Sequence, residues 1–369
     1  MPICPRAVRI AAFGSAALLA TVLNSGAVLA QHAEETVVRN RITVTQADID
    51  AAAAVKYSRI HVMPTNLPGG REKARRLNEE NIRRVAEFEG APIEPGARTP
   101  KTALVQPYFY QGDLVKEGSK APTLASVVNH AVYIDLPSSK TVAEEWGNPE
   151  GFLTDLFKSN FIHLSDQYTG STTDDYTVGA NAKVPYPLYG NVLYEHELWA
   201  IVHSVASAKG FGGGMGHLYH LFLPKGVDTC FDESYECYSP DNFDAWYFCA
   251  YHDYVQFKDI TGPVLFTVEP YQNVDGCAVH QPSPNGKLAD STNSVLAHET
   301  FEVITDPKPP EGYTNQVSLL LEYAEIADEC QPATDDNGDF LVPTFKLNGK
   351  KYAVQLMYSN TYHACAAQP

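Results

Sequence analysis

The chain has 369 residues, 44% of them hydrophobic and 11% aromatic, which is enough to bury a large core in one or two globular domains. Its formal net charge of −17 argues against a nucleic-acid partner, because phosphate binding requires a basic surface. The same charge disfavours binding to anionic membrane surfaces.

The first thirty residues have the pattern of a secretory signal peptide. Arg6 and Arg9 precede an apolar, alanine-rich stretch that runs to Ala30, and Val28 and Ala30 are the small residues expected before a cleavage point. A membrane anchor is the alternative, but several polar residues dilute the stretch and no later one is long enough to span a bilayer. We therefore expect residues 1–30 to be removed and the protein to be secreted or periplasmic, with no membrane segment.

Cleavage would remove Cys4 and leave six cysteines. An even number in an exported chain predicts three disulfides, although the sequence alone leaves their pairing open. The six are Cys230, Cys237, Cys249, Cys277, Cys330 and Cys365.

Residues 31–100 differ in composition from the rest of the chain. Thr45 is a helix N-cap for a predicted helix that reaches Val55, and residues 71–89 form a second, charged helix. The segment has few aromatic residues and ends in a proline- and glycine-containing stretch at residues 90–96. We interpret it as a helical extension packed on the main domain or as a pro-segment.

The main domain is predicted to span residues 101–369. Apolar patterns predict strands at 103–110, 131–136, 217–224 and 262–271, and helices at 148–168 and 195–208. Because helices and strands alternate, the expected class is α/β, with a mixed sheet flanked by helices.

The most informative stretch contains the pattern His298-Glu299-x-x-Glu302. Cap residues at 290–293 and Pro307 predict a short helix, on which His298 and Glu302 share a face and can reach one metal ion, with Glu299 beside it. The pattern is that of the zinc-peptidase helix HExxH with glutamate in place of the second histidine, and it is less specific. The alternative is an ordinary surface face of an amphipathic helix.

A third ligand is expected from the acidic stretch at 319–330. Glu325 is the first choice, and Glu322 is the second because its spacing from His298 matches that of the glutamate ligand in thermolysin-type peptidases. Asp328 could orient a ligand, and the choice of the third ligand among Glu325, Glu322 and Asp328 stays open. The alternative for all three residues is a solvated acidic face.

Other histidine and glycine patterns are weaker. His196 and His203 are two helical turns apart and cannot easily share one ion, and the glycine cluster at 210–216 lacks the residues of a phosphate loop. His217, His220 and His252 are candidates to stabilise an oxyanion, and the sequence does not choose among them. By analogy with metallopeptidases, we expect the strand at 262–271 to pair with an extended substrate.

Several stretches have a common resemblance. They are residues 160–168, 223–226, 248–252, 305–307, 325–330 and 349–365. Together they resemble bacterial relatives of the plant phosphate-induced/EXORDIUM-like secreted proteins, from about residue 101 to the C terminus. Plant members are apoplastic and growth-associated, and they generally lack the pair formed by His298 and Glu299. The resemblance implies disulfides Cys230–Cys249 and Cys330–Cys365, which leaves Cys237 for Cys277.

We therefore expect an exported zinc-dependent hydrolase of zincin-like architecture, and a peptidase in particular. His298, Glu302 and Glu325 would bind Zn²⁺, and Glu299 would take a proton from the attacking water. Manganese or iron would also suit a histidine with carboxylates. The alternative is a non-catalytic extracellular or cell-envelope binding protein of the EXORDIUM-like family. The first hypothesis predicts a peptide or protein substrate, and the sequence indicates no oligomeric state.

Overall fold

The computed structural model describes residues 37–55, 61–64, 112–116, 118, 120–136, 138–186, 191–231, 236–315 and 324–369. These residues belong to one packed unit, Ala33–Pro369. Four predictions lie outside the described residues: the signal peptide, the strand at 103–110, the charged helix at 71–89 and the ligand candidate Glu322.

The elements follow one another with strands and helices mixed along the chain. The helices are α1 (Gln46–Ala53), α2 (Val142–Trp146), α3 (Pro149–Phe157), α4 (Asp166–Thr169), α5 (Glu195–Ala206) and α6 (Lys287–Thr305), with 3₁₀ turns at Asn160–Ser165 and Asp328–Cys330. The first eight strands are β1 (His61–Pro64), β2 (Val115–Lys116), β3 (Ser126–Asp135), β4 (Asp175–Val178), β5 (Ala182–Pro185), β6 (Val192–Tyr194), β7 (His217–Phe222) and β8 (Asp228–Cys230). The other eight are β9 (Cys237–Tyr238), β10 (Phe248–Val255), β11 (Val264–Glu269), β12 (Tyr313–Thr314), β13 (Thr344–Leu347), β14 (Lys350–Ala353), β15 (Met357–Ser359) and β16 (Ala364–Ala366).

A seven-stranded mixed sheet forms the centre, in the order β1-β10-β11-β7-β3-β4, with β5 also paired to β3. The pairs β11/β7, β7/β3, β3/β4 and β3/β5 are parallel, whereas β10 and β1 add antiparallel strands at one edge. The predicted α/β class with a mixed sheet is confirmed. Because β10 and β7 occupy both edges of β11, the expected pairing of the strand at 262–271 with a substrate is wrong.

Helices cover both faces of this sheet. In β3 the side chain of Tyr133 packs in the cluster that contains Phe301 of α6, whereas that of Val132 packs in the cluster that contains Leu198 and Ile201 of α5. Alternate residues of a strand face opposite sides, so α5 and α6 lie on opposite faces. Each buried leucine or phenylalanine contributes about 1.5–3 kcal/mol, and these two layers hold the helices in place.

Helix α6 begins earlier than predicted. Residues 290–293, expected to cap it, lie inside the helix, which starts at Lys287 after Gly286 with its positive φ of 87°. Asp290 in the first turn accepts hydrogen bonds from Asn285, and the negative charge suits the positive end of the helix dipole. All residues from Asp290 to Thr305 are buried, so the alternative of a surface amphipathic helix is wrong.

The predicted helix at 148–168 is divided into three short pieces. Asn148 caps α3, and the Ser159 hydroxyl accepts from the backbone of Phe161 where the 3₁₀ turn begins. Gly170 ends α4 in the left-handed conformation, with φ of 70°. The apolar period continues through all three pieces, so periodicity alone predicted a single helix. The capping residues divide it.

The described part of the N-terminal segment packs on the main domain. Thr45 caps α1 as predicted, α1 packs on α5, and β1 pairs with β10 at the edge of the sheet. Removal of this segment as a pro-segment stays a prediction.

Three disulfides are present, as predicted: Cys230–Cys237, Cys249–Cys277 and Cys330–Cys365. The pairing Cys330–Cys365 is confirmed, whereas Cys230–Cys249 and Cys237–Cys277 are wrong. Cys230 and Cys237 lie directly opposite each other in the antiparallel pair β8/β9, with Cα atoms 4.1 Å apart, so the strand register itself brings their thiols together.

Candidate metal centre

A cluster of acidic and histidine side chains lies between α6 and the sheet. Helix α6 contributes His298, Glu299 and Glu302, β10 contributes His252, and the segment that ends in the second 3₁₀ turn contributes Glu325 and Asp328. The first five of these side chains are fully buried, and the Asp328 side chain is 12% exposed. The cluster therefore reaches the described surface at Asp328.

Three atoms of this cluster converge. His298 Nε2 lies 3.0 Å from Glu302 Oε1 and 3.5 Å from Asp328 Oδ1, and the three residues each offer a ligand atom within 4.8 Å of the others. Ligands bound to a tetrahedral zinc at 2.0–2.1 Å are about 3.3 Å apart. Although Glu302 is close, His298 Nε2 makes no hydrogen bond within the described residues, so this nitrogen points into the space between the carboxylates.

Gln355 fixes the orientation of the His298 ring. His298 Nδ1 donates to Gln355 Oε1 at 3.2 Å, so the proton is on Nδ1 and the Nε2 lone pair is available to a metal. Gln355 is itself held, because its side-chain amide donates to the Ala327 carbonyl and its backbone N–H donates to Ser294 Oγ. Gln355 follows β14 and has no ligand-like spacing to His298, so the sequence did not indicate it.

Glu299 lies beside this site. Its Oε2 is 3.2 Å from His252 Nδ1, and its Oε1 is buried with no hydrogen-bond partner among the described residues. Burial raises the pKa of Glu299 well above its usual value, and the nearby charges of Glu302, Glu269 and Asp328 raise it further. A bound cation would oppose this effect and favour the carboxylate.

Of the three histidines considered for oxyanion stabilisation, the structure brings His252 to the cluster. His252 Nδ1 is 3.5 Å from Glu302 Oε2, and Nε2 is 3.6 Å from Glu325 Oε2. His217 instead lies 3.0 Å from His130, outside the cluster. His252 is next to Thr267 in the β10/β11 register, which places it on the face covered by α6.

His220 belongs to a polar chain beneath α6 that sequence analysis also missed. Its Nδ1 is 2.9 Å from Thr267 Oγ1 and its Nε2 is 2.9 Å from Asn129 Oδ1, while Thr267 Oγ1 donates to Glu269 Oε1 at 2.8 Å. Burial raises the pKa of Glu269 to about 8. The signal in the sequence that could have indicated this chain is the presence of polar residues at inward-facing positions of otherwise apolar strands.

The structure places the two acidic residues predicted near His298 differently from the expectation. Asp328, expected to orient a ligand, offers Oδ1 to His298, and its Oδ2 accepts from the Glu325 backbone N–H at 3.2 Å. Glu325, predicted as the third ligand, approaches His252. Burial raises the pKa of Glu325 well above its usual value, and Asp306 and Glu302 raise it further.

The charge balance of the cluster favours a cation. Glu299, Glu302 and Glu325 are fully buried, and the histidines described beside these carboxylates are His252 and His298. Burial of several carboxylates is costly unless they are protonated, paired or bound to metal. Burial alone would lower the pKa of His298, but Glu302 and Asp328 raise it overall. One imidazole with two carboxylates is a donor set that zinc, manganese and iron accept.

Three further observations concern the helices, the disulfides and the comparison with known proteins. In the part of the chain that the structure describes, no helix has both the length and the apolar character needed to cross a bilayer. Three disulfides are typical of proteins in an oxidising compartment. No protein-family model, curated protein or solved structure matches this chain. The resemblance to the phosphate-induced/EXORDIUM-like proteins stays a prediction.

Proposed function

We propose that this chain is an exported zinc-dependent hydrolase with a zincin-like centre, and a peptidase in particular. The observation that carries the proposal is the convergence of His298 Nε2, Glu302 Oε1 and Asp328 Oδ1, with the Glu299 carboxylate on the same helical turn. The choice of a peptide substrate rests on the likeness of the HExxE helix to that of zinc peptidases.

His298, Glu302 and Asp328 would hold the ion, with Glu325 displaced from the role first assigned to it. When bound there, zinc would supply Lewis acidity, which polarises a carbonyl and makes a bound water more acidic. Two carboxylates make the water less acidic than histidine ligands would, which increases the need for a base.

Glu299 is the general base in this mechanism. It takes a proton from the attacking water and later delivers it to the leaving amine. His252 positions the carboxylate through the 3.2 Å contact between Nδ1 and Oε2. Oε1 has no hydrogen bond from the residues that the structure describes, so it is available to the water. Full burial of the Glu299 side chain keeps bulk solvent away from the proton it holds.

A second candidate is a non-catalytic extracellular binding protein that contains a structural ion. The complete burial of His298, Glu299 and Glu302 favours it, because structural zinc sites are closed by four protein ligands, whereas catalytic sites keep an open position. In that case Glu299 or Glu325 would be the fourth ligand.

The variant Glu299→Gln separates the two candidates. If the protein is a hydrolase, the variant keeps its zinc but cleaves a peptide library about 10²–10⁴ times more slowly than the wild type, because the amide cannot take the proton. Zinc content is measured by elemental analysis and cleavage by mass spectrometry. Glu145→Gln is the matched control, since Glu145 is a buried glutamate on α2 that accepts from the Lys225 backbone, and it should change neither quantity.

Two outcomes would contradict the proposal. One is zinc-loaded wild-type protein that cleaves no member of the library. The other is Glu299→Gln that binds zinc more weakly without any change in cleavage, which would support the closed structural site.

A further inference from the structure

A second cluster of possible ligands lies apart from α6. His163 is in the 3₁₀ turn Asn160–Ser165 and Asp166 begins α4, so they are one turn apart, and His163 Nδ1 lies 3.3 Å from Asp166 Oδ1. After Gly170 the chain turns back and brings Asp174 to the same place. One ligand atom of each of the three residues lies within 4.8 Å of the others.

The surroundings of the Asp174 carboxylate indicate a ligand. Both of its carboxylate oxygens are shielded from solvent, and neither accepts a hydrogen bond of ordinary geometry from the described residues. The carboxylates of Asp166 and Asp174 are close enough to repel each other unless a proton or a cation lies between them.

The region also has the openness that a metal site needs. The side chains of His163 and Asp166 are 39% and 21% exposed, so solvent reaches two of the three ligands. A cation there would have room for water ligands and would exchange with the medium. It would connect α4 to the residue that precedes β4, and β4 forms a sheet edge on β3.

We propose that His163, Asp166 and Asp174 form a second divalent-metal site, separate from the centre on α6. The imidazole and two carboxylates select a transition-metal ion such as Zn²⁺ or Mn²⁺ over Ca²⁺, which prefers six or more oxygen ligands. Its role is structural: it holds the loop at 170–174 against the end of the 3₁₀ turn. The site does not depend on the chain being a hydrolase.

The test is a zinc titration of protein stripped with chelator, followed by calorimetry. We expect two equivalents for the wild type, one for His298→Ala, and none for His298→Ala combined with Asp174→Asn. His163→Ala should give the same loss as Asp174→Asn, and because His163 is partly exposed this variant is expected to fold. His363→Ala is the matched control, since His363 also pairs with one aspartate, Asp113, at 2.8 Å, and zinc binding should not change.

The outcomes for the two sites are distinguishable. If Asp174→Asn and His163→Ala each bind as much zinc as the wild type, the second site does not exist and Asp166 and Asp174 share a proton. If these variants lose one equivalent but His298→Ala loses none, the second site stands and the proposed hydrolase centre fails. Calcium binding with no zinc binding in His298→Ala would also overturn the proposal.

Discussion

Helices α5 and α6 cover opposite faces of one sheet, and each carries a buried histidine beside carboxylates. In α5, His203 places Nδ1 2.7 Å from Asp48 Oδ1 and Nε2 3.1 Å from Asp259 Oδ2, so both ring nitrogens have acidic partners. In α6, Nδ1 of His298 donates to the neutral amide of Gln355, and Nε2 makes no hydrogen bond among the described residues.

The difference shows what decides whether a buried histidine can be a ligand. A ring with a carboxylate at each nitrogen has both nitrogens occupied by protein groups and leaves neither for a metal. When the Nδ1–H of a neutral ring donates to an amide oxygen, the Nε2 lone pair stays available to bind a cation. The described residues therefore supply acidic partners for both ring nitrogens of the α5 histidine, whereas the α6 cluster is the one for which we propose a bound cation.

Removal of metal should distinguish the two clusters most strongly, because it should lower the free energy of unfolding through the α6 cluster and not through the α5 cluster. At free zinc about 1,000 times the dissociation constant, binding adds about 4 kcal/mol to the free energy of unfolding, and chelation should remove it. In His298→Ala, the part of the chelator effect that belongs to the α6 centre should be absent. Thermal unfolding with and without chelator measures both, and an unchanged chelator effect in His298→Ala would mean that α6 holds no ion.

His203→Ala should lower the free energy of unfolding by about 3 kcal/mol, because it leaves the buried Asp48 carboxylate without the imidazole that contacts it at 2.7 Å. The loss should be the same with and without chelator. Asp259→Asn is the control: the Asp259 side chain is 63% exposed, so its loss should cost less than about 1 kcal/mol. Urea unfolding checks these values, and a loss that disappears in chelator would show that metal also binds at α5.

Gln355→Ala should weaken zinc binding about 10- to 100-fold, because the His298 ring loses the partner that sets its tautomer and orientation. Gln272→Ala is the matched control. Gln272 is also fully buried and donates to backbone carbonyls of Cys249 and Pro270, but it does not contact His298. Competition with a metal indicator measures both affinities. Equal affinities for the two variants would contradict the role given to Gln355.

In metal-free protein, the two clusters should make opposite contributions to the change of Tm with pH. Each contribution should be about a few degrees. The pKa values of Glu299 and Glu325 are raised on folding, so the folded state binds more protons than the unfolded state above pH 4.5, and stability falls as pH rises from 5 to 8. The raised pKa of His298 acts in the same direction.

The α5 cluster has the opposite sign and a lower pH window. Burial alone would raise the pKa of Asp48, but Thr45 and His203 lower it overall, so its contribution is present above pH 3.8 and is lost only at lower pH. Unfolding scans in chelator at pH 5, 6, 7 and 8 test this difference. The slope should flatten in Glu325→Gln and persist in Asp48→Asn, and the reverse result would contradict the assignment.

The parts of the site that the sequence predicted are those set by local periodicity. A helix places residues four apart on one face wherever it begins, so His298 and Glu302 were paired correctly although α6 starts at Lys287. The choice between Glu325 and Asp328 was not local. Asp328 begins a short 3₁₀ turn and Glu325 precedes it. The path of the chain into that turn therefore determines which of the two carboxylates faces His298.

The residues that the sequence could not place in the site, or did not indicate at all, come from distant segments. His252 is 47 positions from Glu299 and Gln355 is 57 positions from His298, so only the pairing of β10 in the sheet and the path after β14 bring them together. The disulfide Cys230–Cys237 was missed for a similar reason, since it follows from the register of β8 and β9. The α/β class was predictable because helical and strand periods alternate along the chain.

The most direct measurement is the zinc content of purified wild-type protein, His298→Ala and His203→Ala, determined by elemental analysis per mole of folded chain. We predict that His298→Ala contains one equivalent less than the wild type, whereas His203→Ala contains as much as the wild type. Equal zinc in the wild type and His298→Ala, or a loss confined to His203→Ala, would contradict a metal centre on α6.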